Sequence, residues 1–200
     1  MNQRFKQVVL ASNNPGKLTE FRALLGPLQI EVIAQQDLKI PAAEEPFDTF
    51  VENALAKARQ ASHLSGLPSL ADDSGICVNA LQGRPGIHSA RFSGKDATDK
   101  KNNQYLLEQL KNEPNRAAKY VCALVLIRYP KDPEPIIAHA SWMGQIVDTP
   151  KGIHGFGYDP YFYLPTLGKT AAELNPNIKN QVSHRALAMQ ELLLKMSHES

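Results

Sequence analysis

Long apolar runs, paired cysteines and dense basic stretches are all scarce in this sequence. The longest apolar run, residues 120–127, is far shorter than the roughly 20 residues that a membrane-spanning helix needs. Cys77 and Cys122 lie in apolar stretches without a C-x-x-C spacing, which indicates buried thiols in a reducing compartment and neither a disulfide nor a zinc site. Lys100-Lys101 is the only basic doublet, so the basic stripe of a nucleic-acid-binding surface is missing. We therefore expect neither a membrane nor a nucleic acid as partner.

What the chain does contain is typical of a soluble protein with one sizeable core. Its 200 residues are 42% hydrophobic, and 22 basic against 20 acidic residues leave a net charge of +2. Residues 1–7 are polar, and the short apolar run before Ser12 is too brief for the core of a signal peptide. These features predict a cytoplasmic protein with a single domain over residues 1–200.

Strand and helix patterns mix along the whole chain without a repeat, which predicts an α/β fold with a mixed sheet and flanking helices. The expected strands cover residues 8–11, 30–34, 69–72, 76–80, 119–129 and 136–147, and the expected helices cover 17–25, 48–65, 97–110 and 183–196, with Asp48 as the N-cap of the second helix. Residues 130–135 are rich in proline and predict a hairpin connection. We expect the long hairpin to form a smaller second lobe with a cleft beside it.

Two neighbouring acids, Asp72 and Asp73, stand at the end of an apolar run. Their mutual repulsion and desolvation cost several kcal/mol, on the order of what a cation or hydrogen bonds must return. The sequence Asp-Asp-Ser-Gly is also good turn chemistry, so a solvated turn between two strands is the other interpretation. Oxygen ligands without a Cys or His cluster favour Mg²⁺. If strand geometry persists, the two side chains point to opposite faces, so one would bind the ion and the other would hold water or act as base.

The loop after the first strand contains polar groups suited to phosphate oxygens, namely Ser12, Asn13, Asn14, Pro15, Gly16 and Lys17. It is not a Walker A motif, because Ala11 and Leu18 stand where that motif needs Gly and Ser or Thr. A capped helix after a tight turn explains the same loop, and taken alone the loop favours this structural interpretation.

A second group lies around Lys57, one helical turn after Asn53 and downstream of Glu45. Lys57 is surrounded by alanines, so its stem lies along a face of small residues. The ammonium either reaches into a packed region or extends to solvent, and the second is commoner for a single helical lysine.

A glycine-flanked aromatic loop and a later donor cluster complete the candidate site. Flanking glycines let a ring stand clear of its backbone, which suits stacking on a flat base. The residues are Phe156, Gly157, Tyr158 and Asp159, followed by Lys179, Ser183, His184 and Arg185. As an alternative, the two aromatic rings are core anchors of a loop, Asp159 precedes a turn proline, and Ser183 is a helix N-cap. Together the groups describe a nucleotide with Mg²⁺, but a binding protein needs the same parts as an enzyme.

These motifs resemble the inosine triphosphate pyrophosphatase family in the same order along the chain. The resemblance is carried by Ser12-x-Asn14-x-x-Lys17, by Glu45 with residues 50–54 and Lys57, by Ala-Asp-Asp-Ser-Gly at 71–75, by Pro85-Gly86 with residues 89–91, by Gly-Phe-Gly-Tyr-Asp-Pro at 155–160, and by Ser-His-Arg at 183–185. It implies an elongated α/β fold with the nucleotide between two lobes, working as a homodimer. The implied reaction is hydrolysis of ITP, dITP or XTP to the monophosphate and pyrophosphate.

The resemblance also implies roles for single residues. Ser12, Asn14 and Lys17 match phosphate-binding positions, Glu45 and Asp73 match Mg²⁺ ligands, Asp73 matches a proton acceptor, and Lys57 matches a catalytic lysine. From the strand argument we expect Asp73 to contact Mg²⁺ directly with Asp72 in support, and the sequence leaves open which of the two acids takes the proton. Ser74, Phe156 to Asp159, Lys179, His184 and Arg185 match substrate contacts. For selectivity, we expect Arg185 or loop N–H groups to donate to the purine C6 carbonyl.

Three positions depart from the family pattern, and two other functions remain open. His88, Asn79 and His154 replace residues that are frequent in the family, which affects the expected base pocket and not the expected catalytic groups. A Maf-like pyrophosphatase acting on other modified nucleotides, which usually begins with a different loop, and a nucleotide-binding protein without hydrolysis are the alternatives.

Overall fold

The computed structural model describes residues 6–198, where one seven-stranded sheet is flanked by helices. The elements in chain order are β1 (Gln7–Leu10), α1 (Pro15–Leu25), β2 (Glu31–Ala34), α2 (Phe50–Ser65), β3 (Ser69–Val78), α3 (Asp99–Gln109), β4 (Ala117–Ile127), β5 (Ile136–Ile146), β6 (Phe162–Leu164), β7 (Lys169–Thr170), α4 (Pro176–Val182) and α5 (His184–His198). Short 3₁₀ turns connect several of them. The predicted α/β class is confirmed.

The sheet has the strand order β2-β1-β3-β4-β5-β6-β7 and contains both kinds of pairing. β1 is parallel to β2 and to β3, whereas β6 is antiparallel to β5 and to β7. The sheet is therefore mixed, as the sequence predicts. β4 and β5 are neighbours in it, and the chain joins them through the connection expected at residues 130–135.

Contacts divide the chain into two units. Unit 1 holds the described residues up to Asp73, residues 122–140 and those from Arg185 onward, and unit 2 holds residues 74–121 and 141–184. β3, β4 and β5 each contribute residues to both units. The single domain over residues 1–200 and the cleft beside a second lobe stay predictions.

Unit 1 has two apolar clusters, and neighbouring residues of its strands belong to different ones. Val8 and Leu10 pack with α1 and α5 in the first cluster, whereas Val9 packs with the alanines of α2 in the second. In β3 the same alternation puts Leu70 in the first cluster and Ala71 in the second. Since side chains alternate across a strand, the next two residues of β3 continue this alternation.

Thr49, and not Asp48, is the N-cap of α2. Its Oγ1 accepts a hydrogen bond from the Glu52 amide at 3.3 Å and donates to Glu52 Oε2 at 2.6 Å. In the pattern Thr-x-x-Glu, the glutamate three residues after the cap accepts a hydrogen bond in return, and Asp48 has no glutamate at that spacing. The predicted N-cap was therefore wrong by one residue. The predicted end of the helix is confirmed, because Gly66 closes it with a φ of 71°.

The predicted acidic turn between two short strands is wrong, since residues 69–78 form one continuous strand. Asp72 and Asp73 have cationic partners within the fold and do not need a solvated turn. Gly75 serves close packing, because a Cβ there would overlap the Gly86 carbonyl oxygen in unit 2.

Unit 2 has one aromatic-rich cluster that includes Tyr120, Trp142, Tyr158 and Phe162. Three elements of this unit were not predicted, namely β6, β7 and α4. They are only two to seven residues long, which is too short for a periodic sequence pattern. Ser183 is the C-cap of α4 and directly precedes α5, which begins at His184, one residue later than expected.

The remaining observations concern thiols and membrane spans. In the described chain Cys77 and Cys122 both carry free thiols, and Cys122 is buried, which raises its pKa to about 12. None of the helices within residues 6–198 combines the length and hydropathy of a membrane-spanning segment.

Candidate active site

Asp72 and Asp73 bind different cationic side chains, which confirms that they point to opposite faces of β3. Asp72 Oδ2 lies 3.0 Å from Lys17 Nζ of α1 and 3.1 Å from Arg185 Nη2 of α5. Asp73 Oδ1 lies 2.8 Å from Lys57 Nζ of α2. Each acid therefore belongs to its own charged group.

The Asp72 group is buried and multiply paired. Burial raises the Asp72 pKa, but the positive charges of Lys17, Arg185 and Lys57 outweigh it, so the net pKa is lowered. Arg185 is 2% exposed and also pairs with Glu20 of α1, while its guanidinium lies 5.7 Å from the centre of the Phe21 ring. Asp72 is thus held as a carboxylate.

The second group is formed by three oxygens around Lys57. Its Nζ lies 2.6 Å from Glu45 Oε1, 2.8 Å from Asp73 Oδ1 and 3.3 Å from the Asp72 carbonyl oxygen. The Lys57 side chain is only 11% exposed, so this lysine reaches into a packed region and does not extend to solvent. Burial lowers the pKa of Lys57, yet the Asp73 and Asp72 charges and its hydrogen bonds leave it raised.

Asp73 differs from Asp72 in its charge balance. Burial raises the Asp73 pKa, and the opposing effect of Lys57 is too small to cancel it. Its Oδ2 is buried and has no hydrogen-bond partner among residues 6–198. Two adjacent carboxylates with pKa values shifted in opposite directions are a recognised sign of distinct acid–base roles.

The loop before α1 has the geometry of a capped helix. Asn14 Oδ1 accepts from the Lys17 amide at 3.1 Å, and the Asn14 amide donates to Ser12 Oγ at 3.2 Å. Asn13 Oδ1 accepts from Gln35 Nε2 at 2.7 Å. Pro15 and Gly16 open the first turn of the helix. The capped-helix interpretation is confirmed, and phosphate binding by this loop stays a prediction.

In unit 2 the aromatic loop is anchored by Asp159. The buried Asp159 Oδ2 lies 2.7 Å from Lys179 Nζ and accepts from the Phe156 amide at 3.0 Å, and the Tyr120 phenol hydrogen-bonds to the same carboxylate. Lys179 Nζ also lies 5.0 Å from the centre of the Phe156 ring. Tyr158 is a core anchor, since its buried hydroxyl donates to the Ser89 carbonyl at 2.8 Å.

Helix α3 holds the backbone of the same loop. Asp99 Oδ2 accepts from the Gly157 amide at 2.7 Å, and Asn103 Nδ2 donates to the Gly157 carbonyl at 2.8 Å. Sequence reasoning missed Asp99, Asn103 and Glu20. Asp99 and Asn103 lie one turn apart, a spacing that marks a shared helix face, but their partner is more than 50 residues away.

His184 and Arg185, which are adjacent at the start of α5, belong to different units. His184 is buried in unit 2, stacked on the Tyr120 ring at 4.6 Å between centres, whereas Arg185 belongs to unit 1. Ser74 is half-buried at the start of the unit 2 part of β3. His88, Asn79 and His154, the departures from the family pattern, are all exposed.

Replacing Gly155 by alanine should disrupt the loop around Asp159. Gly155 has a φ of 76°, and a Cβ there would overlap Asp159 Oδ2. The matched control is Gly168→Ala, since Gly168 has a φ of 66° with nothing within 4 Å of an added Cβ. We expect urea unfolding to show Gly155→Ala about 2 kcal/mol less stable than Gly168→Ala, because overlap adds to the shared backbone strain. Equal losses would mean that the overlap is relieved by movement of Asp159.

The structure is an α/β protein with a mixed sheet in which one strand, β3, carries an acid on each of its faces. Residues 8–195 match the model of the Ham1 family, so the chain belongs to the Ham1 family. A solved structure described as a HAM1 protein from Coxiella burnetii is 44% identical, with a TM-score of 0.89, covering 97% of this chain and 100% of that one.

Curated relatives of similar length have a common name. A dITP/XTP pyrophosphatase of Ralstonia nicotianae is 57% identical over 194 residues, which cover 96% of both chains. A dITP/XTP pyrophosphatase of Burkholderia pseudomallei is 55% identical over 193 residues, covering 95% of this chain and 93% of the relative. These relatives agree with the resemblance drawn from the motifs.

Proposed function

We propose that this protein hydrolyses non-standard purine nucleoside triphosphates, namely dITP, ITP and XTP, to the monophosphate and pyrophosphate. The observation that carries the proposal is the pair of acids on β3, with Asp72 Oδ2 3.0 Å from Lys17 Nζ and Asp73 Oδ1 2.8 Å from Lys57 Nζ. The names of the relatives support the substrate class. Removal of such nucleotides from the cellular pool is the corresponding biological role.

The second charged group fits a hard divalent cation such as Mg²⁺. Glu45 and Asp73 both contact the Lys57 ammonium, so their carboxylates lie close enough together to bind one cationic group. The buried Oδ2 of Asp73 is a further oxygen that could serve as a ligand. The described residues contain no cluster of three or more His, Cys, Asp or Glu suited to a metal. Mg²⁺ commonly binds through one or two carboxylates together with water and substrate phosphates, which matches this set. When bound, the ion would neutralise triphosphate charge and lower the pKa of water.

The protein's own side chains have separate roles in the reaction. Asp73, whose buried Oδ2 has no hydrogen-bond partner among the described residues, accepts the proton of the attacking water. Asp72, whose pKa is lowered by its cationic neighbours, remains ionised and orients Lys17 and Arg185. Lys17 and Lys57 stabilise the negative charge that grows on phosphate oxygens during attack at the α-phosphorus. Pyrophosphate is the leaving group.

The Phe156 loop takes the purine base in this proposal. The half-buried ring of Phe156 offers a stacking surface, and its backbone is fixed through Asp159 and Gly157. Hypoxanthine and xanthine have a C6 carbonyl where adenine has an amino group, so a donor facing C6 favours these two bases over adenine. A homodimer in the cytoplasm also belongs to the proposal, supported by the family resemblance and testable by sedimentation and fractionation.

Pyrophosphate release from a nucleotide panel tests the function directly. We expect kcat/KM for ITP, dITP and XTP to exceed that for ATP by about 10⁴-fold. The panel includes GTP and dUTP, and each assay is run with Mg²⁺ and with EDTA. Release of inorganic phosphate instead of pyrophosphate, or a preference for dUTP, would contradict the proposed reaction or substrate class.

A further inference from the structure

One face of α2 holds the loop of residues 41–48, which carries Glu45. Asn53, Lys57 and Gln60 lie at successive turns of the helix. Gln60 Nε2 donates to the Pro41 carbonyl at 2.9 Å, and Lys57 pairs with Glu45. At the other end of the loop, Asn53 bonds to Phe47. The loop is thus held near both ends and at Glu45 by one helix.

Asn53 holds Phe47 through the backbone alone. Its Oδ1 accepts from the Phe47 amide at 3.1 Å, and its Nδ2 donates to the Phe47 carbonyl at 3.0 Å, which imitates the pairing of two strands. Asn53 is 0% exposed, whereas Phe47 is 41% exposed. The hydrogen bonds that fix this end of the loop therefore come from the buried amide of Asn53.

We propose that Asn53 is a positioning residue that fixes Glu45 for divalent-cation binding, an inference that rests on the proposed function. Glu45 lies two residues before Phe47, so its carboxylate cannot move far while both backbone groups of Phe47 are held. Without Asn53, these groups turn to water and the loop gains conformations in which Glu45 lies away from Asp73. The loss falls on cation binding and leaves the chemical step in place.

The variant Asn53→Ala tests this through the metal dependence of ITP hydrolysis. We expect the Mg²⁺ concentration for half-maximal rate to rise about 10-fold, with kcat at saturating Mg²⁺ within about 3-fold of wild type. The matched control is Asn102→Ala, because Asn102 is also buried on a helix and bonds the backbone of Ser93 and Ala90 in unit 2. Its Mg²⁺ dependence should equal that of wild type. An equal shift in both variants would reduce the role of Asn53 to general stability.

Two readouts do not depend on turnover. Mn²⁺ alone, followed by electron paramagnetic resonance, should bind Asn53→Ala about 10-fold more weakly than wild type. Hydrogen exchange at the Phe47 amide should become faster in that variant, since this amide loses its acceptor. If Asn53→Ala does not fold, Gln60→Ala releases the Pro41 end of the loop, and a rise of about 3-fold in the half-maximal Mg²⁺ concentration is expected.

The variant Glu45→Gln separates the inference from the proposed function. If Glu45→Gln weakens Mn²⁺ binding and Asn53→Ala does not, Asn53 has no positioning role and the ligand set stands. If Glu45→Gln leaves Mn²⁺ binding unchanged, the ligand set itself is wrong. Weaker binding in both variants, with unchanged binding in Asn102→Ala, supports the inference.

Discussion

Asp73→Asn should lower kcat for ITP by about 10³-fold at saturating Mg²⁺, because the proposed role of Asp73 is that of a positioned general base, which contributes about 10²- to 10⁴-fold. Asparagine keeps the size of the side chain but cannot accept the proton of the attacking water. It also leaves the Lys57 ammonium with a neutral neighbour at the present 2.8 Å contact. Steady-state pyrophosphate release over a range of Mg²⁺ concentrations measures the effect and separates it from weaker cation binding.

Asp132→Asn is the control for this variant. Asp132 is also a buried acid of unit 1, where it accepts from Arg128 Nη2 at 2.7 Å and from the Glu134 amide at 3.0 Å, but it belongs to the β4–β5 connection. Its loss should reduce stability and leave kcat close to wild type. A kcat near wild type in Asp73→Asn would show that Asp73 is not the general base, and Asp72 would then be the candidate to test.

Arg185→Leu should lower the free energy of unfolding by about 3 kcal/mol, because it removes one of the cations that pair with buried Asp72 and also a partner of Glu20. Arg185 bonds Asp72 and Glu20 from a position that is 2% exposed. Urea unfolding at pH 7 measures the loss. The wild-type contribution of Asp72 is present above its unfolded pKa of about 4 and declines as the pH falls below that value, so the difference between the two proteins narrows in acid.

Arg185→Lys examines the role in base selection without removing the charge. Lysine keeps a cation beside Asp72 but loses the planar fork of donors. Because the Arg185 bonds described go to carboxylates of unit 1, we expect a stability between those of wild type and Arg185→Leu, with an unchanged ratio of kcat/KM for ITP over ATP. A narrowed ratio would instead assign Arg185 the contact with the purine C6 carbonyl.

The sequence was informative where a pattern is local and periodic. The long helices and strands and the opposite faces of Asp72 and Asp73 follow from periods of 3.6 and 2. The closing glycine of α2 follows from the preference of glycine for positive φ at a helix end. The wrong prediction of an acidic turn has a different cause. Asp-Asp-Ser-Gly is turn-like by composition, but Arg185, 113 residues away, and Lys57 supply the charges that keep Asp72 and Asp73 in a strand.

Several residues of the site were not predicted because their partners also lie far away in the sequence. Glu20, Asp99 and Asn103 act on partners far along the chain, so no local motif identifies them. His184 and Arg185 are adjacent in sequence, yet one stacks on Tyr120 and the other pairs with Asp72. The motif therefore identifies both residues as candidates, but it does not reveal that their side chains have different partners.

The placement of both acids on one strand ties the chemistry to strand register. Leu10 and Leu70 are partners in the β1–β3 ladder, and this register fixes the face of the sheet to which Asp72, two residues after Leu70, points. One residue inserted between Leu70 and Asp72 would turn each following side chain to the other face and exchange the lysines that the two carboxylates meet. The spacing of the chain inside β3 is thus as essential to the acid pair as the identity of its members, and evolution can lengthen the loops of this protein more freely than this strand.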